Sequence, residues 1–146
     1  MDEESVMEAR LKLLAEYIGD LRELQSVNLE EYQANKLIRK AVERTLHTAI
    51  EACLDIGHHI IAQERLRSPE DNKDVFVVLG EEQIIPRDLA SRLVDMARFR
   101  NLLVHEYTRL DNTVVYGILK KRLGDIDEFA QKITTYLSQS PPAKAA

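Results

Sequence analysis

Four side chains capable of phosphate and proton chemistry fall within eight positions of this sequence: Arg100, Asn101, His105 and Tyr107, in the stretch Arg98-Phe-Arg-Asn-Leu-Leu-Val-His-Glu-Tyr107. A guanidinium presents a fixed fork of donors that matches a phosphate. An imidazole moves protons near neutral pH. Together they suit cleavage of an RNA phosphodiester with the neighbouring 2′-OH as nucleophile, a reaction that needs no metal in principle. One histidine cannot readily act as base and acid at once, so a second copy of the helix end, supplied by a homodimer, would complete the chemistry. An Arg and a His near a helix C-terminus also interact favourably with the last carbonyls, and spacing alone leaves that plainer role open.

Helix geometry sets a condition on this reading. A five-residue step turns about 500°, so Arg100 and His105 would stand about 140° apart on a continuous helix. A helix that finishes near Val104 would release His105 to fold back beside Arg100. The apolar series Leu89, Leu93, Met96, Ala97, Phe99, Leu102 and Leu103 defines that helix, and Pro86 suits its first position.

The rest of the chain reads as the scaffold for this helix end. Residues 3 to about 25 carry an amphipathic stripe of Val6, Leu11, Leu13, Leu14, Tyr17, Ile18, Leu21 and Leu24, with Gly19 marking close packing. Ser26-Val-Asn28 is a turn, with Asn28 and Glu31 spaced as a capping box. A long helix follows over about residues 36–66, its stripe running from Leu37 and Ala41 through Cys53 to Ile61. Arg67-Ser-Pro-Glu-Asp-Asn72 is a loop. Asp74-Val-Phe-Val-Val-Leu79 has strand-like composition but no partner strand, which predicts a helix of about two turns. Asp111-Asn112 caps a last long helix over about residues 112–138. The expected architecture is all-α: an antiparallel four-helix bundle with short accessory helices over residues 1–138, followed by a flexible tail at 139–146.

Composition agrees and narrows the function. The chain has 146 residues, 45% hydrophobic and 31% charged, with a net charge of −5, which excludes a globally basic nucleic-acid binder. Acid is concentrated at the N-terminus, with nine acidic residues against three basic ones in residues 1–35, whereas residues 86–110 hold five basic against three acidic. The motif therefore lies in a locally positive region. One cysteine, Cys53, rules out an internal disulfide and reads as a core residue. No stretch resembles a signal peptide or a membrane span, so the expected location is cytoplasmic.

Other candidates are weaker. Glu51 and Asp55 share a face of the long helix, with His58 three residues beyond Asp55. A di-iron bundle site needs two Glu-x-x-His pairs and two further carboxylates; with one Asp-x-x-His the expectation is no metal and no cofactor. Glu51 or Asp55 is instead expected to approach the motif arginine or histidine as a supporting carboxylate. His47, His58 and His59 read as satisfied helix histidines, and Lys120-Lys-Arg122 as a solvated face that can touch RNA phosphates.

The series Arg100-Asn101-Leu-Leu-Val-His105-Glu-Tyr107 resembles the R-x4-H-x-Y signature of the HEPN superfamily, in the HepT toxin family. Arg44-Thr-Leu-His-Thr-Ala-Ile-Glu51-Ala-Cys-Leu-Asp55-Ile-Gly-His58-His59-Ile60 resembles that family's long second helix, Ile84-Ile85-Pro86 its entry to the motif helix, and Tyr116-Gly-Ile-Leu its final helix. The resemblance extends over roughly residues 6–138. It implies a metal-independent ribonuclease toxin whose protomers pair to line one composite cleft, with a minimal nucleotidyltransferase antitoxin, MntA, that adenylylates the motif tyrosine. Carried over residue by residue, Arg100 binds phosphate, His105 is the acid/base, Asn101 positions, and Tyr107 is the modified position. The same fold also accommodates a non-catalytic HEPN subunit that binds nucleotide, or a nucleotidyltransferase partner, without cutting RNA.

Overall fold

The computed structural model describes residues 3–105 and 110–139, and among these every regular element is helical. α1 spans Glu3–Leu24, α2 Leu29–Ala34, α3 Lys36–Gln63, α4 Asn72–Glu81, α5 Arg87–His105, α6 Asn112–Lys121 and α7 Leu123–Gln139. α1, α3, α5 and α7 pack in a ring, each against the next, and form an antiparallel four-helix bundle. α4 lies against α3 and α5, while α2 and α6 close the α3 side. No described helix is long and apolar enough to cross a membrane.

The core follows from helical spacing. Met7, Leu14, Ile18 and Leu21 line the inner face of α1, and Val42, Leu46, Ala49, Ile50, Cys53, Leu54, Ile56, Ile60 and Ile61 that of α3. Cys53 is 1% exposed, and burial pushes its thiol far above the usual thiol range. Phe76 of α4 meets Phe129 of α7 edge to face, with ring centroids 5.8 Å apart. Gly57 is where α3 and α4 approach most tightly, since a Cβ there would come within 2.5 Å of Val75 Cγ1. Gly19 has open space around it, so the close packing expected there is absent.

The helix ends are set by identifiable groups. Asn28 Oδ1 accepts from the Glu31 backbone N–H at 2.8 Å, Asp71 Oδ1 from Asp74 at 2.9 Å and Asp111 Oδ1 from Thr113 at 2.8 Å. Asn35, not anticipated, caps α3 by accepting from Ile38 N–H at 3.1 Å. α3 stops at Gln63 rather than near 66, because Arg65 adopts a left-handed φ of 56° and Leu66 N–H bonds back to Ile61 O. α4 ends the same way, with Gln83 at φ 59° and Ile84 N–H bonded to Leu79 O. The 74–79 run is helical, inside a ten-residue α4. Pro86 stands one residue before α5, its carbonyl accepting from Ala90 N–H.

Two further expectations are corrected. The last helix is two helices, because the chain breaks at Arg122. There the Arg122 guanidinium turns to Asp125 at 2.7 Å and to the Arg92 carbonyl at 3.3 Å. Asp125, only 7% exposed, also takes Nη1 of Arg92, so the break lets one carboxylate serve two guanidinium groups. Leu13 and Leu37 leave the predicted stripes for the surface, Leu37 being 79% exposed, and Met7 fills the α1 position instead. α5 is helical from Arg87 through His105, in keeping with the end expected near Val104, and residues 106–109 lie outside the described residues. The flexible tail predicted at 139–146 lies, beyond Gln139, outside the described residues.

Candidate active site around Arg100

The C-terminal half of α5 is anchored by Met96, Ala97 and Phe99, all buried, and Leu103 packs on the same core. Arg100 therefore emerges at the flank of the helix, its side chain 19% exposed. Its Nε and Nη2 face Glu51 Oε1 of α3, and Nη1 donates to Asn101 Oδ1 at 3.1 Å. Glu51 in turn stands 3.4 Å from Nε2 of His47, one turn earlier on α3. His47, Glu51, Arg100 and Asn101 thus form one polar line across the α3–α5 contact.

Each link has a plain cause. Glu51 and His47 are four apart and share a helix face. Phe99 and Ile50, the immediate neighbours of Arg100 and Glu51, are both buried in the core, so the polar pair forms at the edge of that core. A charge-assisted bond from a guanidinium to a carboxylate is stronger than a neutral one. It holds the guanidinium plane in place while leaving N–H donors for an incoming phosphate, since a guanidinium offers more donors than these two partners use.

The arrangement separates residues that looked equivalent in sequence. Glu51 reaches the motif arginine. Asp55, one turn on, is exposed and pairs with Arg10 of α1 at 3.8 Å. His58 is exposed and His59 half-buried, and among the described residues no group of three or more His, Cys, Asp or Glu side chains could hold a metal ion. His47 is the neighbour that sequence reasoning assigned only a structural role; its signal was the i, i+4 spacing to Glu51. The basic run at 120–122 is largely committed elsewhere. Lys120 donates to the Gln25 carbonyl and lies 5.4 Å from the Tyr116 ring centroid, and Arg122 is held by Asp125.

His105 is the last described residue of α5, and Tyr107 lies outside the described residues. With the helix continuous from Arg100 to His105, the two positions are separated by a turn of about 140°.

Comparison with known proteins supplies the context of this site. The model of the family described as Ribonuclease HepT-like matches residues 14–133. The chain is 28% identical over 132 residues to the tRNA nuclease HepT of Aphanizomenon flos-aquae, covering 90% of each protein. It is 29% identical over 103 residues to the mRNA nuclease HepT of Shewanella oneidensis, covering 70% of this chain and 77% of that one. Its fold superposes on a toxin–antitoxin crystal structure with AMP-PNP at a TM-score of 0.83, with 23% identity over 90% of this chain and 98% of the other. It superposes equally, at 0.83 and 24% identity, on the tri-AMPylated Shewanella oneidensis HEPN toxin in complex with the MNT antitoxin, covering 92% and 99% of the two chains.

Proposed function

The chain belongs to the ribonuclease HepT-like family, and from that premise we propose that it is a metal-independent endoribonuclease toxin of a toxin–antitoxin module. The site is composite, with Arg100 and His105 of two protomers lining one cleft. The observation that carries the reading is the Arg100 guanidinium, held at the surface between Glu51 and Asn101 within a family of RNA-cutting proteins.

In this mechanism Arg100 binds a non-bridging phosphate oxygen and stabilises the charge that grows on it. His105 of one protomer takes the proton of the 2′-OH, which attacks phosphorus. His105 of the other protonates the departing 5′-oxygen, leaving a 2′,3′-cyclic phosphate. The need for a base and an acid in one reaction, which a single imidazole cannot readily supply at once, supports the two-protomer arrangement. Asn101 fixes the Arg100 plane, and Glu51 backs it. A nucleotidyltransferase antitoxin silences the toxin by transferring AMP from ATP to the Tyr107 hydroxyl, releasing pyrophosphate. The added phosphate brings negative charge and bulk to a cleft that must admit an RNA phosphate. That a toxin sharing this fold is found AMP-modified in complex with its antitoxin supports silencing by AMP transfer, and the R-x4-H-x-Y spacing points to Tyr107 as the acceptor. Both partners act in the cytoplasm.

The test is cleavage of an RNA pool in EDTA by wild type and by His105→Ala. Wild type is expected to cut and His105→Ala to lose at least about 100-fold, the scale of a missing acid–base group. Undiminished cutting by the variant would remove His105 from the mechanism. Incubation with the cognate nucleotidyltransferase and ATP should add AMP at Tyr107, read by mass spectrometry.

A further inference from the structure

Two clefts run along the outer side of α5 and share Gly80 and Arg87. The first, 440 Å³, lies between the α4–α5 turn and the end of α7 and is lined by Arg87, Lys132, Gln83, Thr135 and Tyr136 above an apolar floor of Ile84 and Ile85. The second, 390 Å³, continues past Ser91 and Val94 to Arg98. No carboxylate lines the first cleft. Arg87 and Lys132 are both exposed and make no hydrogen bond or ion pair with a described residue; Arg87 lies only within longer electrostatic reach of Glu81. In the second cleft the acids are already matched, Glu81 by Arg67 and Asp95 by Arg98.

The charge is local, since the chain as a whole carries −5. Arg10, Arg22, Arg67, Arg92, Arg98, Arg100 and Arg122 all find carboxylates. Two cations that share a carboxylate-free cleft leave a positive potential there, and a ligand's anion can supply the counter-charge. Arg87 and Arg100 are thirteen residues apart on α5, about 20 Å along the helix and about 140° around it, so the cleft opens on a different face of α5 from Arg100.

We propose that this cleft is a second RNA-binding site, in which Arg87 and Lys132 hold phosphates of the bound strand on a face of the bundle away from the cut. Tyr136, Thr135 and Gln83 supply a ring and hydrogen-bonding groups for the nucleoside between them. The proposal rests on the ribonuclease reading for its ligand but not for its measurement.

The experiment is fluorescence anisotropy of a labelled 2′-O-methyl RNA 15-mer, which binds but lacks the nucleophile, titrated with the full-length protein at several salt concentrations. Arg87→Gln/Lys132→Gln is compared with Lys12→Gln/Lys73→Gln, which removes the same charge outside both clefts. All four positions are at the surface or at its edge, so the fold should persist. The first pair should weaken binding about tenfold and make the salt dependence shallower by about 0.7 for each phosphate no longer held; the second pair should leave the slope unchanged. Equal weakening in both double variants, or none in either, overturns the site. AMP binding that disappears in Arg87→Gln/Lys132→Gln while RNA binding is unaffected makes the cleft a mononucleotide site and overturns the strand assignment. Cleavage of unmodified RNA by wild type is followed in parallel. If wild type cuts RNA and the variants bind alike, the second site falls and the ribonuclease reading stands. If wild type cuts nothing but the first pair alone weakens binding, the reading falls and the second site stands.

Discussion

Arg92 and Arg100 stand eight residues apart on α5, about 12 Å along the helix, and differ in what surrounds them. Arg92 meets three carboxylates: buried Asp125, Asp88 at 3.0 Å and Glu128 at 3.3 Å. Its neighbour Arg122 shares Asp125 and reaches the Arg92 backbone. Arg100 meets one carboxylate, Glu51, which His47 also approaches, and one amide, Asn101. The first arginine is matched by more negative charge than it carries and joins α5 to the α6–α7 break. The second is oriented by a single carboxylate and an amide, and its charge is left with less to neutralise it. On one helix, then, the number of carboxylates gathered around it, not the residue type, separates an arginine that builds the fold from one that can meet a substrate.

Substitution should pull the two apart. Arg100→Ala is expected to lower RNA cleavage by at least about 100-fold, as removal of a donor to a developing oxyanion does, with the melting temperature shifted by no more than about 2 °C. Asp125→Ala should do the reverse. It leaves Arg92 and Arg122 without their shared partner, at a cost of about 1–2 kcal/mol once screening of these part-exposed guanidinium groups is allowed for. That is a fall of about 3–8 °C in melting temperature, with kcat close to wild type for whatever fraction remains folded. If Asp125→Ala instead abolished cleavage at temperatures where it is folded, the division between the two arginines would fail.

A third arginine sharpens the comparison by pH. Arg67 forks onto Asp74 at 2.6 and 2.9 Å and onto Glu81 at 2.9 Å, pinning the α3–α4 loop. The hydrogen bond from Arg67 holds the Asp74 carboxyl at about 2, below its ordinary 3.8, so the folded state binds this proton less readily than the unfolded chain. The resulting stability is complete above the ordinary value and is lost as pH falls toward 2. Thermal melts between pH 5 and 2 should therefore flatten in Arg67→Gln relative to wild type. An unchanged pH profile would mean that the fork contributes nothing in solution.

The smallest effect is expected from a fourth. Arg65 has no carboxylate partner among the described residues and occupies a left-handed φ of 56° that glycine adopts freely. Arg65→Gly should raise stability by about 0.5–1 kcal/mol, the relieved strain outweighing the entropy glycine adds to the unfolded chain. A melting temperature equal to or below that of wild type would refute this.

Much of this architecture is legible as periodicity. The boundaries of α1, the short helix at α4 and the Asn28 and Asp111 caps follow from apolar spacing and side chains that mimic a backbone acceptor. The break at Arg122 does not, because Leu119, Leu123 and Ile126 continue the inward face across it; what breaks the helix is Asp125 and, thirty residues back in sequence, Arg92. Leu37 entered a predicted stripe because a pattern registers an apolar residue without registering whether anything packs on it. At the site, Arg100 and Asn101 are legible from the motif. The choice between Glu51 and Asp55 is not: the two share a helix face, and Arg10 of α1 and Arg100 of α5 divide them between themselves.

Cys53 offers a way to time the scaffold beneath this site. It is the single cysteine of the chain, almost wholly enclosed, and it sits two residues beyond Glu51 on α3. A thiol reagent can reach it only when that part of the core opens, so the rate of labelling counts opening events rather than surface collisions. Where closing outruns labelling, the rate gives the equilibrium between closed and open α3; where labelling outruns closing, it gives the opening rate itself. Pairing of two protomers or capture of RNA over Glu51 and Arg100 would then register as slower labelling of a sulfur that touches neither.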